Sequence, residues 1–63
     1  MRYIEIYDKK KQKHYVNVRT IEVVVDLSSS NGSTCIVLPH SIIYTDERYE
    51  SVIKRMKGGF PWL

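Results

Sequence analysis

The chain of 63 residues carries 10 Lys and Arg, 7 Asp and Glu, and a formal net charge of +3. This length predicts one small domain, and a composition that is 43% hydrophobic and 27% charged excludes a disordered chain. The only cysteine is Cys35, which excludes an internal disulfide, and no apolar stretch approaches the ~20 residues of a membrane-spanning helix. We therefore predict a single domain over residues 1–59, followed by an apolar tail at residues 60–63.

The cysteine content and the first residues predict a cytoplasmic location. A lone cysteine inside an apolar run is typical of a buried thiol in a reducing compartment. The N-terminal run places Arg2 and Glu5 inside a strand-like pattern, which does not fit a signal peptide. We expect no membrane partner from these features.

The first half of the chain alternates apolar and polar residues with the period of two that is typical of β-strands. Residues 2–7 and 13–18 are two such runs, separated by a polar turn, and we expect them to pair as an antiparallel hairpin. Residues 20–27 form the clearest strand. One phase of this strand, predicted to face the core, holds Ile21, Val23, Val25 and Leu27; the other holds Glu22, Val24 and Asp26.

The middle of the chain continues the antiparallel pattern. Residues 28–32 predict a loop, because Asn31-Gly32 is the strongest turn dipeptide in the sequence. Residues 33–38 predict the next strand. Pro39 lacks the N–H that a ladder requires, so it either ends this strand or lies at a sheet edge. Residues 41–44 predict a short final strand.

A helix is predicted after the strands. Thr45 or Asp46 is a suitable N-cap, and Gly58-Gly59 is a suitable end. An apolar face at helical spacing holds Tyr49, Val52, Ile53 and Met56. The predicted fold is α+β: a four- to five-stranded antiparallel sheet with one C-terminal helix packed on one face.

Two apolar features predict contact with a protein partner or with a second copy of the chain. The tail offers large anchors in Phe60, Trp62 and Leu63, which either dock onto a neighbour or fold back onto the core. Val24 lies on the polar phase of its strand and indicates that a second face of the sheet is covered. A domain this small gains stability from association.

A basic cluster predicts an alternative, anion-binding function. Lysines at a hairpin turn, interleaved with tyrosines, can track phosphates and stack bases, so a nucleic acid or a small nucleotide held between subunits is a candidate ligand. The competing interpretation is an ordinary solvated turn. The candidate residues are Lys9, Lys10, Lys11, Lys13, Arg19 and Tyr15.

Catalysis is not expected. Cys35 lies in an apolar run, where cysteine packs as a small hydrophobe, and nothing places His14 or His40 beside it. The sequence has no glycine-rich phosphate loop and no cluster with metal-ligand spacing. We predict no catalytic residues, no cofactor and no metal site.

Two segments resemble a known family. Tyr15-Val16-Asn17-Val18 followed by Ile21, and a later helix running from Asp46 to Met56, look like the small FlbD/SwrD-like proteins associated with bacterial flagella. The two segments also resemble similar short proteins of Gram-positive bacteria and their phages. The resemblance implies a small cytoplasmic accessory protein that acts by contact, and it supplies no catalytic residues.

These features together predict a small non-enzymatic binding or adaptor protein that acts by self-association and by contact with an unidentified protein. A bacterial or phage accessory or inhibitor protein fits this description. The alternative is an anion-binding module for nucleic acid or a signal nucleotide, built on the lysine-rich hairpin.

Overall fold

In the computed structural model, which describes residues 2–30 and 32–58, the chain forms five strands and one α-helix. The α+β class is confirmed, and the predicted tail residues Phe60, Trp62 and Leu63 lie outside the described residues. In the described ranges no helix is long and apolar enough to span a membrane. The elements in chain order are β1 (Tyr3–Tyr7), β2 (Lys13–Asn17), a 3-10 helix (Val18–Thr20), β3 (Val23–Asp26), β4 (Thr34–Val37), β5 (Ile42–Thr45) and α1 (Tyr49–Met56).

The strands form two antiparallel sheets where the sequence predicted one of four to five strands. β1 pairs with β2, and β3, β4 and β5 form a second sheet with β4 in the centre. The break follows β2, where Asn17 Oδ1 accepts from Arg19 N over 3.0 Å and Thr20 Oγ1 donates to Asn17 O over 2.8 Å. These bonds hold a 3-10 helix at the junction of the predicted strands 13–18 and 20–27, and β3 pairs with β4 and not with β2.

The core lies between the hairpin, the helix and one face of the three-stranded sheet. In the hairpin Ile4 is opposite Val16, and in the second sheet Ile36 lies between Val24 and Ile43. Each sheet therefore turns one apolar row inward, as half-buried antiparallel strands require. The buried cluster consists of Ile4, Ile6, Val16, Ile36, Ile43 and Val52.

β3 faces the core with the phase opposite to the predicted one. Val24 is half-buried and packs against the core cluster, whereas Val23 is 49% and Val25 37% exposed. The register decides this, because Val24 lies beside Ile36, which is fully buried on the central strand. A strand with valine in both phases can turn either way, and its neighbours then set the orientation.

The helix begins later than predicted. Arg48 is the N-cap residue and makes no side-chain capping hydrogen bond. Thr45 is instead the last residue of β5, where its hydroxyl donates to Tyr7 O over 2.7 Å and accepts from Glu47 N over 3.1 Å. Asp46 forms an ion pair with Lys9. The two predicted caps therefore join the helix segment to the hairpin.

The predicted apolar side of α1 meets the core through Val52 and Met56, while Tyr49 and Ile53 are half-buried and lie outside the core cluster. Val52 is fully buried in the core cluster, and Met56 packs against that cluster. After Met56 the chain leaves the helix, and Gly58 adopts a φ of 98°, the left-handed conformation that favours glycine at a helix end. The C-terminal turn is also bonded to the hairpin, because the Arg2 guanidinium donates to the carbonyl of Met56.

Candidate interaction surfaces

The outer face of the three-stranded sheet, turned away from the core, is apolar and uncovered in the described part of the chain. One row joins Val23, Val37 and Ile42 across the three strands, and the next row joins Val25, Cys35 and Tyr44. Val23, Ile42 and Tyr44 are 49%, 52% and 50% exposed. No charged side chain belongs to these two rows. We call this surface the apolar face: Val23, Val25, Cys35, Val37, Ile42 and Tyr44.

Cys35 lies at the centre of the apolar face and is 7% exposed, as the sequence predicted for a buried thiol. Its neighbours across the strands are Val25 and Tyr44, so side chains of the same face cover it. Cys35 is therefore buried on the side of the sheet that faces away from the core cluster.

The β5 border of the apolar face carries positive charge from the hairpin turn. Lys9 N donates to Tyr44 O over 2.9 Å, which bonds the turn to the edge of β5. Lys9 Nζ donates to Asp46 Oδ1 over 2.8 Å, and this bond and the lysine charge hold the pKa of Asp46 below its ordinary 3.8. Lys10 lines a cleft of about 500 Å³ together with Ile42 and Tyr44.

The hairpin turn is held by Asp8. Asp8 Oδ1 accepts from the N–H groups of Lys10 and Gln12 over 2.8 and 2.9 Å, and Asp8 Oδ2 lies 2.8 Å from His14 Nε2. The hydrogen bond with His14, followed by that from Gln12, lowers the pKa of Asp8 below 3.8. His14 therefore has a structural partner in Asp8.

The outer face of the hairpin is aromatic and charged. The rings of Tyr3 and Tyr15 stack with their centroids 4.9 Å apart and their planes at 13°. Lys13 Nζ lies 5.7 Å from the ring centroid of Tyr7 and 3.9 Å from Glu5 Oε1. We call this surface the aromatic face: Tyr3, Glu5, Tyr7, Lys13, Tyr15 and Asn17.

The structure separates the predicted anion-binding residues into two groups. Lys9, Lys10 and Lys11 lie in the turn, with Lys13 at the start of β2. Arg19 lies in the 3-10 helix beyond the far end of β2, and the five residues of that strand span about 16 Å. Tyr15 is midway and is 69% exposed. A small anion cannot touch both groups, whereas an extended nucleic-acid strand can.

Val24 lies on the inner side of β3, so the exposed apolar surface is formed by the opposite phase of that strand. Sequence reasoning missed Val23, Val25, Ile42 and Tyr44. The alternation of residues 20–27 puts Val23 and Val25 in one phase, but that phase was predicted to face the core.

Glu47 and Arg55 form a pair that covers the outward edge of β1, and sequence reasoning also missed them. Glu47 Oε2 accepts from Tyr7 N over 3.3 Å, and Arg55 donates to Glu5 O over 2.8 Å and to Glu47 Oε1 over 2.5 Å. Burial raises the pKa of Glu47. The bonds from Arg55 and Tyr7 and the charge of Arg55 lower it by more, so the pKa lies below its ordinary 4.5. The pair borders a cleft of about 740 Å³.

Within residues 2–30 and 32–58, no group of three or more His, Cys, Asp or Glu side chains is placed to hold a metal ion. Comparison of the chain with models of known protein families, with curated proteins and with solved structures finds no match. The resemblance to small flagellar accessory proteins therefore stays a prediction.

Proposed function

We propose that this protein is a non-enzymatic binding protein that acts by contact, and that the apolar face is where a partner protein binds. The observation that carries the proposal is the exposure of Val23, Ile42 and Tyr44, each about half exposed on a face without charged side chains. An apolar patch on the order of several hundred Å² on a small protein is typical of a binding surface.

The partner's chemistry follows from the centre and the border of the apolar face. The centre, around Cys35, offers only apolar contacts, so the partner presents apolar side chains there. The border at β5 carries Lys10 and the Lys9–Asp46 pair. We therefore infer a partner surface with an apolar centre and an acidic margin that meets Lys10, because such charges steer association and fix orientation.

Site-specific photo-cross-linking tests the proposal. A photoreactive phenylalanine analogue replaces Ile42 on the apolar face, and a matched control carries it at Glu50, which is exposed on α1. Irradiated in the cells that produce the protein, the Ile42 variant is expected to give a discrete protein adduct that the Glu50 variant does not give.

Two further substitutions check that the adduct depends on the proposed surface. Val25→Asp, which places a charge on the apolar face, is expected to abolish the adduct at position 42, and Lys10→Glu is expected to lower its yield. An adduct that survives Val25→Asp, or that forms equally at position 50, would refute the apolar face as the binding site.

A nucleic-acid strand on the aromatic face is the second candidate function. It is favoured by the exposed Tyr3–Tyr15 stack beside Lys13, because bases stack on aromatic rings next to basic groups. Fluorescence anisotropy with a labelled single-stranded oligonucleotide is expected to show binding that weakens steeply with salt. Tyr15→Ala is expected to lower affinity about tenfold, and absence of binding at low salt removes this candidate.

A further inference from the structure

We propose that two copies of the chain associate through the free edge of β2, which pairs antiparallel with β2 of the second copy about a two-fold axis at Tyr15. This surface is distinct from the apolar face, so it goes beyond the function proposed above.

The register of the hairpin shows where the backbone groups of β2 point. Val18 N donates to Arg2 O over 3.0 Å and Asp8 N donates to Gln12 O over 2.9 Å. Alternate residues of an antiparallel pair bond inward, so the even-numbered residues bond across the hairpin. The N–H and C=O groups of the odd-numbered residues, Lys13, Tyr15 and Asn17, therefore point away from β1 and form a row along the free edge.

The two edges of the hairpin differ in how many of their outward backbone groups have hydrogen-bond partners. The edge of β1 is covered, because Thr45, Glu47 and Arg55 bond its outward groups at Glu5 and Tyr7. Along β2, in the part of the chain that the structure describes, only the carbonyl of Asn17 has such a partner, the hydroxyl of Thr20. A carbonyl has two lone pairs and can accept a second bond. An open strand edge of this kind is a template for pairing with another strand.

The side chains of β2 fit a second copy of the same strand. Tyr15 is the middle residue of β2, so antiparallel pairing about it places Tyr15 against Tyr15, and Lys13 against Asn17 of the other copy. No like charges are opposite each other in this arrangement. The Tyr3–Tyr15 stacks of the two copies would become neighbours on one continuous aromatic face. Moving the two-fold axis by two residues, from Tyr15 to Lys13, would instead place the two lysines opposite each other.

The contact area of one strand edge determines how tightly the two copies are expected to associate. A stable dimer buries about 800 Å² on each partner, and one five-residue strand edge supplies less. We therefore expect a weak, concentration-dependent dimer. Weak association calls for a test that captures the pair covalently.

Disulfide trapping tests both the edge and its register. The protein carries Cys35→Ser, so that the only thiol is the introduced one, with Tyr15→Cys in the test variant and Lys13→Cys in the control. In the proposed register the two Cα atoms at position 15 are about 5.5 Å apart, within the range of a disulfide. Those at position 13 are displaced from each other by four residues, or about 13 Å, along the strand, and cannot be bridged.

Under mild oxidation by diamide, the position 15 variant is expected to form a covalent dimer on non-reducing gels and the position 13 variant to stay monomeric. Circular dichroism confirms that both variants are folded. Equal trapping at the two positions, trapping only at position 13, or trapping at neither would overturn the proposal. None of these outcomes affects the photo-cross-linking at position 42, so failure of the dimer and failure of the apolar face are distinguishable.

Discussion

The solvent-facing sides of the two sheets differ in chemistry. The three-stranded sheet presents valine, isoleucine and one tyrosine around a buried thiol, whereas the hairpin presents stacked tyrosines between Glu5, Lys13 and Asn17. Both sheets bury one apolar row in the same core. The difference teaches that the outer side of the hairpin has the polar and aromatic composition of a solvent-exposed surface. The larger sheet is apolar on both sides, and the described residues cover only one of them.

The largest expected effect is a difference in the free energy of unfolding between substitutions on the inner and the outer side of the central strand, β4. Ile36→Ala is expected to lower the free energy of unfolding by about 3 kcal/mol, because Ile36 is fully buried against the core. Cys35→Ala, one residue away on the apolar face, is expected to cost about 1 kcal/mol or less. Urea unfolding followed by circular dichroism measures both, and equal losses would contradict the two-sided description.

The next effect concerns the bond that joins the two sheets. Thr45→Val removes a buried hydroxyl that donates to Tyr7 O, and the loss is expected to be about 1–2 kcal/mol because that carbonyl loses a partner. Thr20→Val, at an exposed hydroxyl bonded within its own turn, is the control and is expected to cost less. Thermal unfolding of the two variants side by side decides the order.

Acid is expected to loosen the covered edge of the hairpin. The folded-state pKa of Glu47 lies below its ordinary 4.5, so the stabilisation is complete above that pH and is lost as the pH falls through the folded-state value. Asp8 and Asp46 act in the same direction below 3.8. Glu47→Gln is expected to flatten the loss of stability below pH 4.5, measured by urea unfolding at several pH values. A wild-type stability that rises on acidification would contradict this assignment.

The smallest effect compares the two outer faces directly. Val25→Thr on the apolar face is expected to change stability by no more than about 0.5 kcal/mol, because the residue is already partly solvated. Tyr15→Ala on the aromatic face is expected to cost about 1 kcal/mol through loss of the stack with Tyr3. Chemical denaturation resolves the difference, and a larger loss at Val25 would indicate that the apolar face is already covered in solution.

The hairpin and the helix face were predictable from the sequence because each depends on local periodicity. Ile4 and Ile6 share one phase of a clean alternation, and Val52 and Met56 share one side of a helix. The split into two sheets was not predictable, because it follows from the side-chain bonds of Asn17 and Thr20. The start of the helix was misplaced because Thr45 and Asp46 suit a cap equally well, and only the tertiary fold assigns them to Tyr7 and Lys9.

The sequence predicted that the sheet has a second apolar side, but it did not predict which residues form that side. A second apolar side of the sheet was expected from Val24, but the orientation of β3 depends on Ile36 on the neighbouring strand, and that register is a long-range property. The lysines of the turn were grouped correctly by their sequence spacing. Arg19 was grouped with them although the predicted strand over residues 13–18 already lay between it and the turn.

Because of its position, the Cys35 thiol can report whether the apolar face is occupied. Because it is the only thiol in the chain and lies under Val25 and Tyr44, a small alkylating reagent must pass those side chains to reach it. Anything seated on that side of the sheet would slow the labelling, while a strand added along β2 would leave the rate unchanged. A labelling time course therefore reads the occupancy of one surface without altering a single residue.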